Sequence, residues 1–184
     1  VLPNYCGKTL LEKYLPSVIV ALNSASCISK YEIIVVDDAS TDDSLSFLKQ
    51  NYPQIELISN NENSGFSKTI NKGIFASKYD FVLLLNTDMQ LPVKFFDQIA
   101  TDILFEDDFF GIFPSILDAT ATKVLESQKL PRLKFGVISY KDVENNSDLS
   151  YSLYLCGGCA LVYRDKLIQI NAFDTVFSPF YYED

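Results

Sequence analysis

The chain has 184 residues, of which 48% are hydrophobic and 21% are charged, and its formal net charge at pH 7 is -9. This length and composition predict one globular domain with a full core, and the negative charge argues against nucleic acid as a partner, because phosphate contacts need a basic surface. The chain contains no histidine, which excludes Ser-His-Asp and Cys-His nucleophile systems within it.

The first two thirds of the chain alternate between helical and strand-like patterns. Strands are predicted at residues 31–37, 55–59, 80–86 and 109–116, and helices at 7–25, 42–51, 64–78 and 92–105. The first helix is expected to break or bend near Pro16. Ser40 or Thr41 is expected to cap the second helix, and Pro92 to lie in the first turn of the fourth.

This alternation predicts an α/β fold with a mainly parallel central sheet. The runs "IIVV" and "FVLLL" are apolar at every position, as expected for strands covered by helices on both faces, which makes a three-layer sandwich. The periodicity fades between residues 118 and 150, where "DVENNSD" reads as a polar loop. Next, "YSLYLCGGCALVYR" predicts a strand, a glycine turn and a second strand, and "DKLIQINAF" a short helix. No repeat or linker divides the chain, so residues 1–184 are predicted to form a single domain.

Two predicted strands end in acidic residues, in "VVDDAST" and "LLLNTDMQ". Ligands of parallel sheets gather at the carboxyl ends of the strands. Asp37, Ser40 and Thr41 are typical of a cap on the following helix, whereas an exposed Asp38 could accept hydrogen bonds from a base or a ribose. Asp88 either belongs to a turn that caps the next helix or is a ligand of Mg²⁺ or Mn²⁺ on a diphosphate.

Three further segments have two interpretations each. Gly65, which precedes a helix, matches half of a phosphate cradle, although no G-x-G-x-x-G or G-K-S/T motif accompanies it. Glu183 and Asp184 are either a solvated terminus or, after several aromatic residues, the position of a general base. The C-G-G-C at Cys156 and Cys159 could be a redox pair or half of a zinc site, but small buried residues at a glycine turn are favoured, because no histidine or second cysteine pair completes a metal site.

Taken in order, six segments resemble the glycosyltransferases of family 2, which have the GT-A fold. The segments are "PNYCG" at 3–7, "EIIVVDDASTDDS" at 32–44, "NNENSGFSKTINKGI" at 60–74, "DFVLLLNTDMQ" at 80–90, "CGGCALVYRDKLIQINAFD" at 156–174 and "FYYED" at 180–184. Together they cover nearly the whole chain in the order typical of that family.

The resemblance implies a Rossmann-like GT-A domain that transfers a hexosyl or deoxyhexosyl group, with inversion, from a nucleoside-diphosphate sugar to an acceptor hydroxyl in polysaccharide or glycoconjugate synthesis. The nucleotide-binding part would span about residues 1–117 and the acceptor-side part about 118–184. The residues that would bind the nucleotide are Pro3, Asn4, Tyr5, Asp38, Gly65, Asn86 and Asp88.

By the same resemblance, Asp38 would contact the base or ribose and Asp88 would hold Mg²⁺ or Mn²⁺. Asp184 would be the catalytic base. The acceptor-side residues would be Gly157, Gly158 and Glu183. The implied partners are a nucleotide sugar and a glycan or lipid-linked acceptor. The implied location is the cytoplasm, including the inner face of a membrane reached through other parts of the parent protein.

Two departures from the family pattern keep alternatives open. Asn86 stands where the D-x-D motif has its first acid, as in rhamnosyltransferase-like members, so a second carboxylate ligand is not implied. The sequence starts without Met inside a strand pattern and stops on the expected base. We therefore expect an excised domain, cut at both ends, with weak donor binding or no activity. A non-catalytic domain of the same fold remains an alternative. A nucleotidyltransferase would need a glycine-rich basic loop after the first strand, which "PNYCGK" does not provide.

Overall fold

The computed structural model describes residues 1–102, 109–143 and 150–177, and it confirms the α/β alternation of the sequence. The helices are Lys8–Ser24 (α1), Ser44–Asn51 (α2), Phe66–Ala76 (α3), Phe95–Asp102 (α4) and Arg164–Gln169 (α5), followed by a 3₁₀ turn at Thr175–Phe177. The strands are Leu2–Asn4 (β1), Ile34–Asp37 (β2), Glu56–Ser59 (β3), Phe81–Leu85 (β4), Gly111–Ile112 (β5), Ile116–Leu117 (β6), Val124–Glu126 (β7), Gln128–Lys134 (β8), Val137–Val143 (β9) and Cys159–Tyr163 (β10).

The central sheet has two parts that meet at Val1. Strands β1, β2 and β3 form a parallel sheet in that order, and β10 pairs antiparallel with both β4 and β5. The Val1 amino group donates a 2.8 Å hydrogen bond to the Leu83 carbonyl, and the Leu85 amide donates to the Val1 carbonyl at 3.0 Å. This parallel link gives the order β3-β2-β1-β4-β10-β5, in which β10 runs against the others. The mainly parallel sheet is thereby confirmed.

Helices cover both faces of this sheet, which explains why its strands are apolar throughout. Leu85 belongs to the cluster formed with α1, α2 and α4, where Leu11, Leu48 and Phe95 are buried. Leu84 belongs to the opposite cluster with α3 and α5, where Ile70 is buried. Because successive side chains of a strand point to opposite faces, "FVLLL" supplies both layers of the core at once.

Helix α1 is continuous through Pro16, so of the predicted break or bend the break is wrong. A proline inside a helix cannot donate to the carbonyl four residues earlier, here that of Glu12. Pro16 is exposed, while Leu15 and Val18 are buried against the core. Tertiary packing on the inner side of the helix therefore outweighs the missing hydrogen bond on the outer side.

Helix starts also differ from the predicted caps. Helix α2 begins at Ser44, after Asp43, so neither Ser40 nor Thr41 is its N-cap. The Asp42 carboxylate instead accepts a hydrogen bond from the Ser44 amide at 3.0 Å. Helix α4 begins at Phe95, and Pro92 lies in the turn before it.

The region between α4 and β10 departs most from the prediction. The segment 109–116 contains only the two-residue strand β5 and the start of β6, and no strand forms at 151–155 before the glycine turn. The stretch 118–150, where the periodicity fades and no strand was predicted, contains β7 and the hairpin β8–β9, which pairs from Gln128 with Val143 to Lys134 with Val137. Within the described residues, no helix combines the length and apolar character needed to cross a bilayer.

Candidate functional site

The carboxyl ends of β1 and β2 are joined by buried polar side chains. Asn4 Nδ2 donates to Asp37 Oδ1 at 2.8 Å, and both residues are buried. The second Asp37 oxygen accepts the Ser40 amide at 2.9 Å. Asp37 is therefore a structural residue that fixes the start of the loop after β2, but it does not cap the following helix as predicted, because α2 begins only at Ser44.

The loops after β1 and β2 are also tied to each other. Ser40 Oγ accepts the Cys6 amide at 2.8 Å, and Asp42 Oδ2 accepts the amide of Lys8, the first residue of α1, at 3.0 Å. Cys6 and Ala39 have φ angles of 48° and 58°. Residues other than glycine rarely take this left-handed conformation, which costs roughly 1–2 kcal/mol each. Strained backbone of this kind clusters at functional sites, so two such residues in adjacent loops make this edge a candidate site.

Asp38 is buried, contrary to the exposed position expected of it. Its Oδ1 accepts hydrogen bonds from Asn60 Nδ2 at 2.6 Å and from the Ser64 amide at 2.8 Å, and its Oδ2 accepts the Gly65 amide at 2.9 Å. Burial alone would raise the pKa of this carboxyl group, but these hydrogen bonds outweigh it and the pKa lies below its usual value. The ionised Asp38 carboxylate thus connects the loop after β2 to the residue that follows β3 and to the amides at the start of α3.

Gly65 has a geometry that only glycine adopts readily, with φ 83° and ψ 169° at the start of α3. Its amide is donated to Asp38 and, at 3.2 Å, to Asn63 Oδ1. This amide already donates hydrogen bonds within the chain, and the positive φ accounts for a glycine at this position without a bound phosphate. Participation of Gly65 in nucleotide binding stays a prediction.

Strand β4 delivers Asn86, Thr87 and Asp88 to the same edge. The Asn86 amide donates to the Gly158 carbonyl at 2.9 Å, and the Met89 amide donates to the Asn86 carbonyl at 3.3 Å. Asp88 follows in this turn and is exposed. Within the described part of the chain, no group donates a hydrogen bond to its carboxylate, so Asp88 is available to a ligand.

The glycines at this edge allow its segments to approach one another closely. A Cβ atom on Gly7 would lie 2.4 Å from Asn4 Oδ1 and 3.6 Å from Thr87 Oγ1, and a Cβ atom on Gly158 would lie 3.3 Å from Asn86 Nδ2. Because β10 is antiparallel, its amino end lies beside the carboxyl end of β4, where Cys159 pairs with Leu85. This topology brings distant parts of the sequence to one site.

One buried polar atom at this edge has no partner in the structure. Asn4 Oδ1 is enclosed and accepts no hydrogen bond. Pro3 is half-buried within β1, and the side chain of Tyr5 is exposed just beyond it. The β1 end thus presents an aromatic ring at the surface above a buried amide, at the position from which the sequence predicted nucleotide contacts.

The acceptor-side segment is attached to α3 by a residue that the sequence analysis did not single out. Asn71 Nδ2 donates to the Phe173 carbonyl at 2.8 Å, and the Phe173 amide donates to Asn71 Oδ1 at 3.0 Å. The rings of Phe66 and Phe173 pack edge to face with centroids 5.7 Å apart. Asn171 and Ala172 reach this contact with positive φ angles. Asn71 lies between Ile70 and Ile74 on the buried side of α3, and an asparagine among buried helix positions was the signal that could have identified it.

The structure brings together most of the predicted nucleotide-side residues but does not place the predicted base. Glu183 and Asp184 lie outside the described residues. Gly157 and Gly158 form the turn before β10, next to Asn86. Among the described residues, no group of three or more carboxylate, thiol or imidazole side chains is arranged to hold a metal ion.

Comparisons with known proteins agree with this geometry. The sequence profile of Glycosyl transferase family 2 matches residues 1–170. The fold is similar to that of the mannosyltransferase PcManGT from Pyrobaculum calidifontis in complex with GDP-Man and Mn²⁺, with a TM-score of 0.64 and 17% identity over 95% of this chain and 46% of that one.

It is also similar to S. aureus TarS 1-349, with a TM-score of 0.66 and 19% identity over 95% of this chain and 49% of that one. The same protein in complex with UDP gives a TM-score of 0.64 and 18% identity, over 96% and 49% of the two chains. The chain thus spans about half the length of these structures. No curated protein matches it. With the GT-A fold observed and the family profile matched over nearly its whole length, the chain belongs to glycosyltransferase family 2.

Proposed function

We propose that this domain binds a nucleoside-diphosphate sugar and transfers its hexosyl or deoxyhexosyl group to an acceptor hydroxyl with inversion, in polysaccharide or glycoconjugate synthesis. The observation that carries the proposal is the position of Asp88. It is exposed at the carboxyl end of β4, where the ends of β1 and β2 and the turn at Gly158 also meet. Among residues 1–102, 109–143 and 150–177, no group donates a hydrogen bond to its carboxylate.

The chemistry of this edge fits a divalent ion. Mg²⁺ and Mn²⁺ prefer oxygen ligands and commonly take one or two protein carboxylates together with phosphate oxygens. Asp88 offers one such carboxylate, and Asn86 stands two residues earlier as a neutral neighbour. When bound, the ion would neutralise charge on the departing diphosphate. A relative of the same fold was solved in complex with GDP-Man and Mn²⁺, which supports assigning Mg²⁺ or Mn²⁺ as the cofactor.

The nucleoside would lie over the loops after β1 and β2. Three groups of the chain donate hydrogen bonds to the Asp38 carboxylate, and a further hydrogen bond with Thr69 helps to hold its pKa down. We propose that a donor of the base or ribose adds to these contacts, beside Asn4 and Tyr5. TarS was solved with UDP and PcManGT with GDP-Man, so different nucleotide bases occur on this fold. The titrations with UDP, GDP and dTDP described below decide which nucleotide base this chain binds.

Asp184 is proposed as the base that removes the proton from the acceptor hydroxyl. An inverting displacement needs one such group on the face opposite the leaving diphosphate, within hydrogen-bond reach of the attacking oxygen. Glu183 is the rival, and it is proposed to line the acceptor side with Gly157 and Gly158. The acceptor is proposed to be a glycan or a lipid-linked sugar in the cytoplasm, at the inner face of a membrane.

Calorimetric titration with UDP, GDP and dTDP, each with and without Mn²⁺, tests the donor site. At least one diphosphate should bind in an Mn²⁺-dependent manner, and Asp88→Asn should weaken that binding by about tenfold or more, which corresponds to about 1.4 kcal/mol. Asp80→Asn, which changes an exposed acid at the other end of β4, is the matched control. Unchanged Mn²⁺-dependent binding in Asp88→Asn would refute the assignment, and no binding to any nucleotide would favour a non-catalytic domain.

The role of Asp184 as the catalytic base is tested in a longer version of the chain that has measurable transferase activity. Asp184→Asn should reduce turnover by orders of magnitude while donor affinity stays nearly constant, because the lost interaction belongs to the transition state. If Glu183→Gln abolishes turnover and Asp184→Asn does not, the two acids have the opposite roles.

A further inference from the structure

The hairpin β8–β9 leaves the body of the protein with both faces of its outer part in solvent, while nearer its base the Tyr140 ring packs edge to face on Tyr154. Every residue from 130 to 142 is exposed. A two-stranded hairpin without a sheet or helix beneath it is only marginally stable in water. This ribbon therefore has the properties of a segment that packs against something outside the chain.

The base of the ribbon is firmly fixed, so its direction is defined. Lys129 is buried and its ammonium group pairs with Glu126 at 2.8 Å and with Asp142. The Lys129 amide donates to Ser152 Oγ at 3.0 Å, and the Leu153 amide donates to the Lys129 carbonyl at 2.8 Å. The exposed outer half is thus held away from the body by an anchored inner end.

The tip carries an apolar residue where the backbone disfavours one. Phe135 and Gly136 form a two-residue turn with φ angles of 52° and 79°. Positive φ at both positions defines the turn that usually selects Asn-Gly or Asp-Gly. Phe135 accepts this conformation although its ring is 93% exposed. Lys134 Nζ lies 5.5 Å from the centroid of this ring, but the ring stays largely in solvent, where water does not favour phenylalanine.

The two faces of the ribbon differ in chemistry. Cross-strand pairing places Leu133 opposite Ile138 on one face, and these side chains are 76% and 71% exposed. On the other face the pairing places the basic side chains, which are Arg132, Lys134 and Lys141. Residues 130–141 contain no acid, in a chain whose net charge is -9. The ribbon is therefore locally basic on a protein that is acidic elsewhere.

From these observations we infer that the β8–β9 hairpin is a membrane-docking element that inserts its apolar tip into the surface of a bilayer containing anionic lipids. Apolar side chains beside Lys and Arg are the combination that binds such an interface, through apolar burial together with attraction to anionic headgroups. A purely apolar partner surface would not explain the three cations. The acidic body would be repelled by the same membrane, so contact is confined to the ribbon.

Intrinsic fluorescence gives a direct test, because the chain has no tryptophan. In Phe135→Trp, the emission should shift to the blue on addition of vesicles of equal parts phosphatidylglycerol and phosphatidylcholine, and should stay unchanged with phosphatidylcholine alone. Val20→Trp, at an exposed position on α1, should not respond to either vesicle. An unshifted Phe135→Trp spectrum in anionic vesicles would overturn the inference.

Vesicle co-sedimentation separates the two components. Phe135→Asn suits the turn, so its melting temperature should be kept or raised, while binding falls by about tenfold or more. The triple variant Arg132→Gln, Lys134→Gln, Lys141→Gln should lose binding on the order of a hundredfold, since each cation contributes severalfold near an anionic surface. The matched triple variant changes the exposed lysines Lys13, Lys30 and Lys49 to Gln and should bind as the wild type does.

Analytical ultracentrifugation without lipid distinguishes the competing occupant. The wild type and Phe135→Asn should sediment alike. If the wild type self-associates and Phe135→Asn does not, the ribbon binds a second copy of this chain and the membrane assignment is wrong.

Discussion

Asp38 shows how one buried carboxylate organises the edge of the sheet. It joins the loop after β2 to Asn60, which follows β3, and to the amides that open α3. Hydrogen bonds to an ionised group are each worth about 1.5–3 kcal/mol. Asp38 therefore stabilises the loops of this edge through several such bonds at once.

We predict that Asp38→Asn lowers the free energy of unfolding at pH 6 by about 1.5–3 kcal/mol. The pKa of Asp38 in the fold lies below its ordinary value of 3.8. The stabilisation from its charge is therefore complete above pH 3.8 and is lost as the pH falls through the folded pKa. Urea unfolding at pH 6, 4 and 3 should show the difference between wild type and variant shrinking below pH 4.

The exposed Asp80 provides the comparison for that experiment. Asp80→Asn should unfold like the wild type at each pH. If the difference in the free energy of unfolding between wild type and Asp38→Asn stays constant down to pH 3, the pH dependence is contradicted. The destabilisation would then come from the altered shape of the side chain and not from its charge.

The sequence analysis singled out Asp38 and Asp88 at this edge but did not predict their surroundings. Asp38 and Asp88 each follow a strand of β-branched or leucine residues, and that local pattern is visible in one dimension. Burial of Asp38 depends on Asn60, Ser64 and Gly65, which reach it only after β3 and α3 are in place. Such contacts between distant residues have no local signature, so exposure was predicted where burial is found.

At the scale of elements, α1 shows packing outweighing local preference. Its proline was expected to interrupt the helix, yet the helix runs from Lys8 to Ser24. Leu11, Leu15, Val18 and Leu22 recur along one side and are buried. Burial of such side chains is worth about 1.5–3 kcal/mol each, which exceeds the cost of one missing hydrogen bond.

We predict that Pro16→Ala raises the free energy of unfolding by about 1–3 kcal/mol. A proline in a helix interior is about 3 kcal/mol less favourable than alanine, and the gain is reduced because proline also restricts the unfolded chain. The measurement is the urea midpoint. Lys13→Ala, at an exposed site one turn earlier, should change the midpoint little. A lower midpoint for Pro16→Ala would contradict this prediction and would show that the proline stabilises the helix where it stands.

The hairpin β8–β9 was missed for a related reason. Strand recognition from sequence depends on alternation of apolar and polar residues against a core, and this ribbon has no core beneath it. Its turn also lacks the usual signal, because Phe135 stands where asparagine or aspartate would mark a hairpin. The elements that the sequence predicted well are those packed against the central sheet.

At the scale of the whole molecule, β10 completes the sheet. It pairs with β4 over five residues from Cys159 to Tyr163 and also with β5. Its residues Ala160 and Val162 are buried in the core cluster that also contains Leu84. The order of strands therefore depends on a segment that lies far from its partners in sequence.

We predict that a chain ending at residue 150 loses cooperative unfolding, because β4 and β5 both lose the strand between them. A chain ending at residue 177 keeps β10 and α5 and should unfold in one transition. Circular dichroism in urea and size-exclusion chromatography would compare the two. An identical urea midpoint for both chains would show that β10 is dispensable.

The late position of β10 has a consequence during synthesis on the ribosome. The apolar strand "FVLLL" leaves the ribosome well before the strand that covers its open side, and until then it presents an unpaired edge. Exposed apolar edges promote intermolecular pairing. Translational pausing between β4 and β10 would lengthen this interval. We therefore expect nascent chains to aggregate when such pauses occur, and also when rapid expression or high temperature makes exposed edges meet more often.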